Sequence, residues 1–99
     1  MNKKELFERA LSGDISILED KRVAVVKDAC GATPLHCLAW KERVEILSHK
    51  EVAVVKDNQG YTPLHWLTEM GKVRVKYLKK LFPFYQHKKG TKISLKINY

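Results

Sequence analysis

Apolar residues recur along this chain in three blocks of matching spacing. Leu6 and Ala10, then Leu35, Leu38 and Ala39, then Leu64 and Leu67, fall at the i, i+3, i+4 intervals that give a helix one apolar face. Thr33-Pro34 and Thr62-Pro63 precede the second and third blocks, with a hydroxyl at the N-cap and proline at the first helical position. Each block leads into a shorter amphipathic stretch: Ile15, Ile17 and Leu18 in the first, Val44, Ile46 and Leu47 in the second, Val73, Tyr77, Leu78 and Leu81 in the third. Gly13 and Gly71 stand between block and stretch as helix stops. The pattern predicts three antiparallel helix pairs. Ahead of the second and third pairs, Val-Ala-Val-Val-Lys runs into Asp-x-x-Gly, which predicts an extended approach to a tight turn with Gly31 or Gly60 at positive φ.

The blocks keep one register. VAVVKDACGATPLHCL at Val23 to Leu38 returns as VAVVKDNQGYTPLHWL at Val52 to Leu67, 29 positions on. The same shift aligns Leu6 with Leu35 and Leu64, Ile15 with Val44 and Val73, and Ile17 with Ile46 and Val75. The fold expected is all-α: a helix-turn-helix solenoid of three short repeats, in units of about 1–27, 28–56 and 57–82, followed by a basic C-terminal cap and tail at 83–99. Pro83 stops the last helix, and Phe82, Phe84 and Tyr85 suit a cap over the terminal apolar face. Lys92 to Ile97 alternates polar and apolar residues, as a short strand does. Packing on the preceding turns, pairing with another molecule and disorder are all compatible with that stretch.

DACGATPLHCLA at Asp28 to Ala39 and DNQGYTPLHWLT at Asp57 to Thr68 resemble the ankyrin-repeat signature D-x-x-G-x-T-P-L-H-x-L-A. The resemblance runs from about residue 4 to about residue 82. The family period is 33 residues; the four missing here fall after the first helix, so the second helix is expected to be clipped by one turn. Glu42 stands where the other units have Gly13 and Gly71, which suggests a differently built turn in the middle unit. By this resemblance Thr33, Pro34, His36, Thr62, Pro63 and His65 are structural, the histidines bridging neighbouring turns through backbone hydrogen bonds. It also implies partner docking on the turn tips and on the exposed face of the first helices. Carried over residue by residue, that strip comprises Leu11, Trp40, Lys41, Asn58, Gln59, Tyr61, Glu69 and Met70, together with Ser12, Ala29, Cys30 and Ala32. Trp40 and Tyr61 are the expected anchors. For Trp40 the competing reading is that it folds back over the clipped helix. Trp66 is expected to be buried against the following helix or the tail.

Composition narrows the chemistry. Ninety-nine residues with 44% hydrophobic content suit one small domain of narrow stability margin. Of the net +8 charge, residues 1–71 contribute −1, with ten basic and eleven acidic residues; 72–99 hold nine basic residues and no acid. This end can steer an acidic protein partner or, as an alternative function, hold nucleic acid or another polyanion through Lys72, Lys76, Lys79, Lys80, Lys88 and Lys89. The competing reading is a merely solvated face, since Lys72, Lys76, Lys79 and Lys80 lie mostly on the polar side of an amphipathic helix. Cys30 and Cys37 fit neither a disulfide framework nor a zinc clip, even when counted with His36 and His49. No Ser/His/Asp arrangement or phosphate-binding loop occurs, and no carboxylate or nucleophile travels with the recurring histidines. The expectation is a non-catalytic protein-binding module without cofactor or metal. The N-terminus lacks an apolar signal core and no apolar run is long enough for a bilayer, so a cytoplasmic protein without a membrane partner is expected, as a monomer or weak self-associator.

Overall fold

The computed structural model describes residues 1–71 and 73–85, and every regular element among them is helical. Four α-helices run from Lys3–Leu11 (α1), Pro34–Trp40 (α2), Pro63–Glu69 (α3) and Val75–Leu81 (α4). Four 3-10 segments, Ile15–Glu19 (η1), Lys21–Ala24 (η2), Val44–Ser48 (η3) and Lys50–Ala53 (η4), lie between them. The strand expected at Lys92 to Ile97 and the turn before it lie outside the described residues.

Local chemistry explains the starts of α1, α2 and α3. Asn2 caps α1, its side-chain oxygen accepting from the Glu5 N–H at 2.8 Å. At α2 and α3 the cap is reciprocal: the Thr33 and Thr62 N–H groups donate to Nδ1 of His36 and His65 at 3.0 and 2.9 Å, while each threonine hydroxyl faces the histidine N–H at 3.4 Å. Histidine takes the part that glutamate plays in an ordinary capping box, because its ring nitrogen is also an acceptor one turn inside the helix.

The second helices of the first two units are not α-helices, contrary to the expectation from their spacing. Each is two 3-10 turns hinged on an extended residue, Asp20 (ψ 121) in one unit and His49 (ψ 118) in the next. These residues share one register position, and both act as a fresh N-cap: Asp20 accepts from Arg22 N at 2.9 Å and His49 Nδ1 from Glu51 N at 3.2 Å. An acceptor at mid-segment competes for the backbone and restarts the helix. At the matching position of the third unit stands Leu78, which offers no acceptor, and there an α-helix, α4, runs through and buries it. The extended stretch expected at Val23-Ala24 and Val52-Ala53 is likewise 3-10, with Val23 and Val52 fully buried.

The middle turn is also not built differently. Glu42 takes φ +61, alongside Gly13 at +83 and Gly71 at +74, and its N–H bonds Ala39 O at 2.9 Å as Gly13 bonds Ala10 O. The same left-handed turn is made there by a residue with a Cβ, at a steric cost.

α1 packs on α2 and α2 on α3, so α2 is flanked on both sides and Pro34 through Ala39 are all buried. The core runs from Leu6, Phe7 and Ala10 through Leu35, Leu38 and Ile46 to Leu64, Leu67 and Leu78. Of the C-terminal cap residues, Tyr85 is buried and Phe82 half-buried; Phe84, expected to join them, is 95% exposed.

Candidate docking surface

The surface is held by the seam between the second and third units. In the turn before α2, Asp28 Oδ1 accepts from Cys30 N and Ala32 N at 2.8 and 3.0 Å; Asp57 does the same for Gln59 N and Tyr61 N, both at 2.9 Å. These carboxylates fix the turns, and the turns bond each other. Asn58 N donates to Cys30 O at 3.0 Å, Asn58 Nδ2 to Ala29 O at 3.2 Å, and Lys27 Nζ to Lys56 O at 3.2 Å.

His36 completes the seam. With Nδ1 accepting from Thr33 N, the ring's proton sits on Nε2, which donates to the Tyr61 carbonyl in the next turn at 2.8 Å. The side chain is fully buried, and burial lowers its pKa from 6.5 to about 4, more than the Tyr61 carbonyl and the carboxylates of Asp57 and Asp28 raise it. It is neutral at pH 7. Trp66 stacks edge-on against it at 5.3 Å and donates its indole N–H to Asp57 Oδ2 at 3.2 Å. Trp66 is therefore buried, with its ring edge against the preceding unit and its indole N–H on its own turn; the tail beyond residue 85 lies outside the described residues. In the third unit His65 has Tyr61 on one side at 5.9 Å and Tyr85 on the other at 5.1 Å. Burial raises the pKa of that Tyr85 hydroxyl, which lies 3.4 Å from the Thr68 hydroxyl.

The strip read from the sequence separates into two groups. Leu11, Trp40 and Glu69 are the last residues of α1, α2 and α3, with Lys41 and Met70 next to them; Leu11, Trp40 and Met70 are half-buried, Lys41 and Glu69 exposed. The Lys41 ammonium sits over the Trp40 ring, 5.4 Å from its centre, and Trp40 also packs against the core. Trp40 is thus partly covered by the core and partly open to solvent. Asn58, Gln59 and Tyr61 form the other group, about 10 Å away at the opposite end of the seven-residue α3. Between the groups the first helices offer little surface, α2 being buried from Pro34 to Ala39. Ala32, taken for a turn-tip residue, is 1% exposed. Asn58 is exposed, but its amide is already engaged across the seam.

Cys30 is exposed; Cys37 is buried, and burial raises its thiol pKa to about 12. Among the described residues no three His, Cys, Asp or Glu side chains gather as a metal would require, and no helix is long and apolar enough to cross a membrane. Of the lysines named for polyanions, Lys76, Lys79 and Lys80 are exposed on α4; Lys72, Lys88 and Lys89 lie outside the described residues. Tyr77 and Leu81, assigned from spacing to the apolar face of that helix, are 52% and 46% exposed, and Leu78 is the residue of α4 that is buried. No family model matches the chain, and no curated protein matches it.

Proposed function

We propose that the chain is a short ankyrin-like repeat solenoid acting as a non-catalytic protein-binding module. The observation that carries this reading is the seam: two Thr-Pro-Leu-His caps at a 29-residue interval, one of which reaches from His36 into the backbone of the following turn. Such a seam makes neighbouring units one rigid body and leaves the helix ends and turn tips to face outward. A partner contacts Leu11, Trp40 and Met70 at the helix ends, and Tyr61 with Gln59 at the turn tips. Three units offer roughly 600–800 Å² of usable face, so affinity is weak to moderate.

The test is capture from a native lysate by the intact chain and by a Trp40→Ala, Tyr61→Ala variant of unchanged circular dichroism. Loss of the captured protein in the variant, with little dependence on salt, supports the reading; equal capture by both defeats it. Polyanion binding is the second reading, favoured by Lys76, Lys79 and Lys80 lying exposed on a helix that carries no acid. It predicts retention on heparin that collapses as salt rises and is lost when the three lysines are replaced by serine. Retention that survives either change refutes it.

A further inference from the structure

The 3-10 segments and α4 carry exposed apolar groups that the strip leaves unused. Ile15, Val44 and Val73 share one register position, and η1 packs against η3, so the first two lie on adjoining elements. Ile15 is 39% and Val44 43% exposed. Between the second and third units the surface opens into a groove of about 550 Å³, lined by Val44, Leu47, Val73, Arg74 and Tyr77. An open apolar groove whose rim carries an amphipathic Tyr has the form of a helix-binding site.

Charge selects the occupant. Arg74 lies on the groove wall, and Lys80 shares the face of α4 that Tyr77 presents, since residues three apart on a helix are neighbours. The chain has no acidic residue after Glu69. Glu42 and Glu45 are exposed on the side of Val44, so the cationic wall is that of α4, and a second copy meeting α4 with its own α4 would bring Arg74 and the lysines against their own kind. We propose that the groove binds an amphipathic helix of an acidic partner protein, its apolar face between Val44 and Tyr77 and its carboxylates toward Arg74 and Lys80. The groove adjoins the helix ends, Val44 lying four residues after Trp40 and Val73 three after Met70, but none of its lining residues belongs to the strip.

The test uses the full chain and two labelled synthetic helices of about 18 residues with leucines at i, i+3, i+4 and i+7, one carrying glutamates on the polar face and the other lysines. Fluorescence anisotropy should show saturable binding of the glutamate helix, about tenfold weaker binding of the lysine helix, and weakening as salt rises. Val44→Ser and Tyr77→Ser should each lower affinity about tenfold with circular dichroism unchanged. Arg74→Glu, at an exposed position, should reverse the preference between the two peptides. The proposal is overturned by absence of saturable binding, by equal binding of both peptides, or by indifference to Val44→Ser and Tyr77→Ser. Concentration-dependent dimerisation abolished by those two substitutions would assign the groove to a second copy and overturn it as well.

Discussion

Replacing Glu42 with glycine should make the protein more stable, although it removes a side chain and loosens the unfolded chain. Glu42 closes the middle helix at φ +61, where its counterparts are Gly13 and Gly71. An L-residue in the left-handed region costs roughly 1–2 kcal/mol, and glycine escapes that cost. Glycine also gives the unfolded state more freedom, which returns about 0.4–1 kcal/mol of the gain. The Glu42 side chain is exposed, so little else is lost with it. Taking the middle of each range, the net is a stabilisation of about 0.8 kcal/mol, or roughly 3–6 °C in Tm for a domain of this size. Thermal and urea melts followed by far-UV circular dichroism would measure it, with Glu42→Ala as the control that removes the carboxylate and keeps Cβ. The reasoning fails if Glu42→Gly is no more stable than Glu42→Ala, or less stable than the unaltered chain.

Acid should weaken the seam. His36 has a folded pKa of about 4 against 6.5 unfolded, so the unfolded state binds more protons in between; stability is complete above pH 6.5 and falls by about 3 kcal/mol as pH drops toward 4, a slope that urea melts should show and His36→Gln should flatten. Gly31→Ala should cost more than Gly71→Ala: both positions have positive φ, but a Cβ at Gly31 would lie 2.7 Å from the Asn58 backbone nitrogen, whereas at Gly71 it meets open space. The expected losses are about 2–3 and about 1 kcal/mol, and equal losses in denaturant melts would contradict the packing of turn on turn. Trp66→Phe keeps the aromatic body and removes the hydrogen bond to Asp57, for a loss of about 1–2 kcal/mol by the same melts. With a thiol reagent at neutral pH, Cys30 should react quickly and Cys37 only on unfolding; a Cys30→Ser variant that still reacts quickly would place Cys37 outside the core.

The elements that read clearly from sequence are those whose chemistry is local. Thr-Pro starts α2 and α3, Gly13 and Gly71 take the left-handed turn, and the fixed register placed Leu6, Leu35 and Leu64 in one core. What was misread depended on competition or on neighbours. Apolar spacing at Ile15 to Leu18 satisfies an α-helix as well as a 3-10 turn, and the difference lay in Asp20 and His49, polar residues at one register position whose capping role the hydrophobic pattern does not register. Glu42 looked like a different turn because propensity speaks for glycine, whereas the surrounding packing imposed the conformation. The contacts of Trp66 with Asp57, which holds its indole, and with the ring edge of His36 are likewise ones that no periodicity encodes. The burial of α2, which parts the helix ends from the turn tips, comes from neighbours on both sides and is not written in the pattern of the helix itself.

Hydrogen–deuterium exchange on the chain, free and with a captured protein partner, tests the docking reading most directly. Protection gathered at the helix ends around residues 11–12, 40–41 and 69–70 and at the turn 58–61, with α4 unchanged, is the predicted result; protection confined to residues 74–81, or absent from both helix ends and turn, would contradict it.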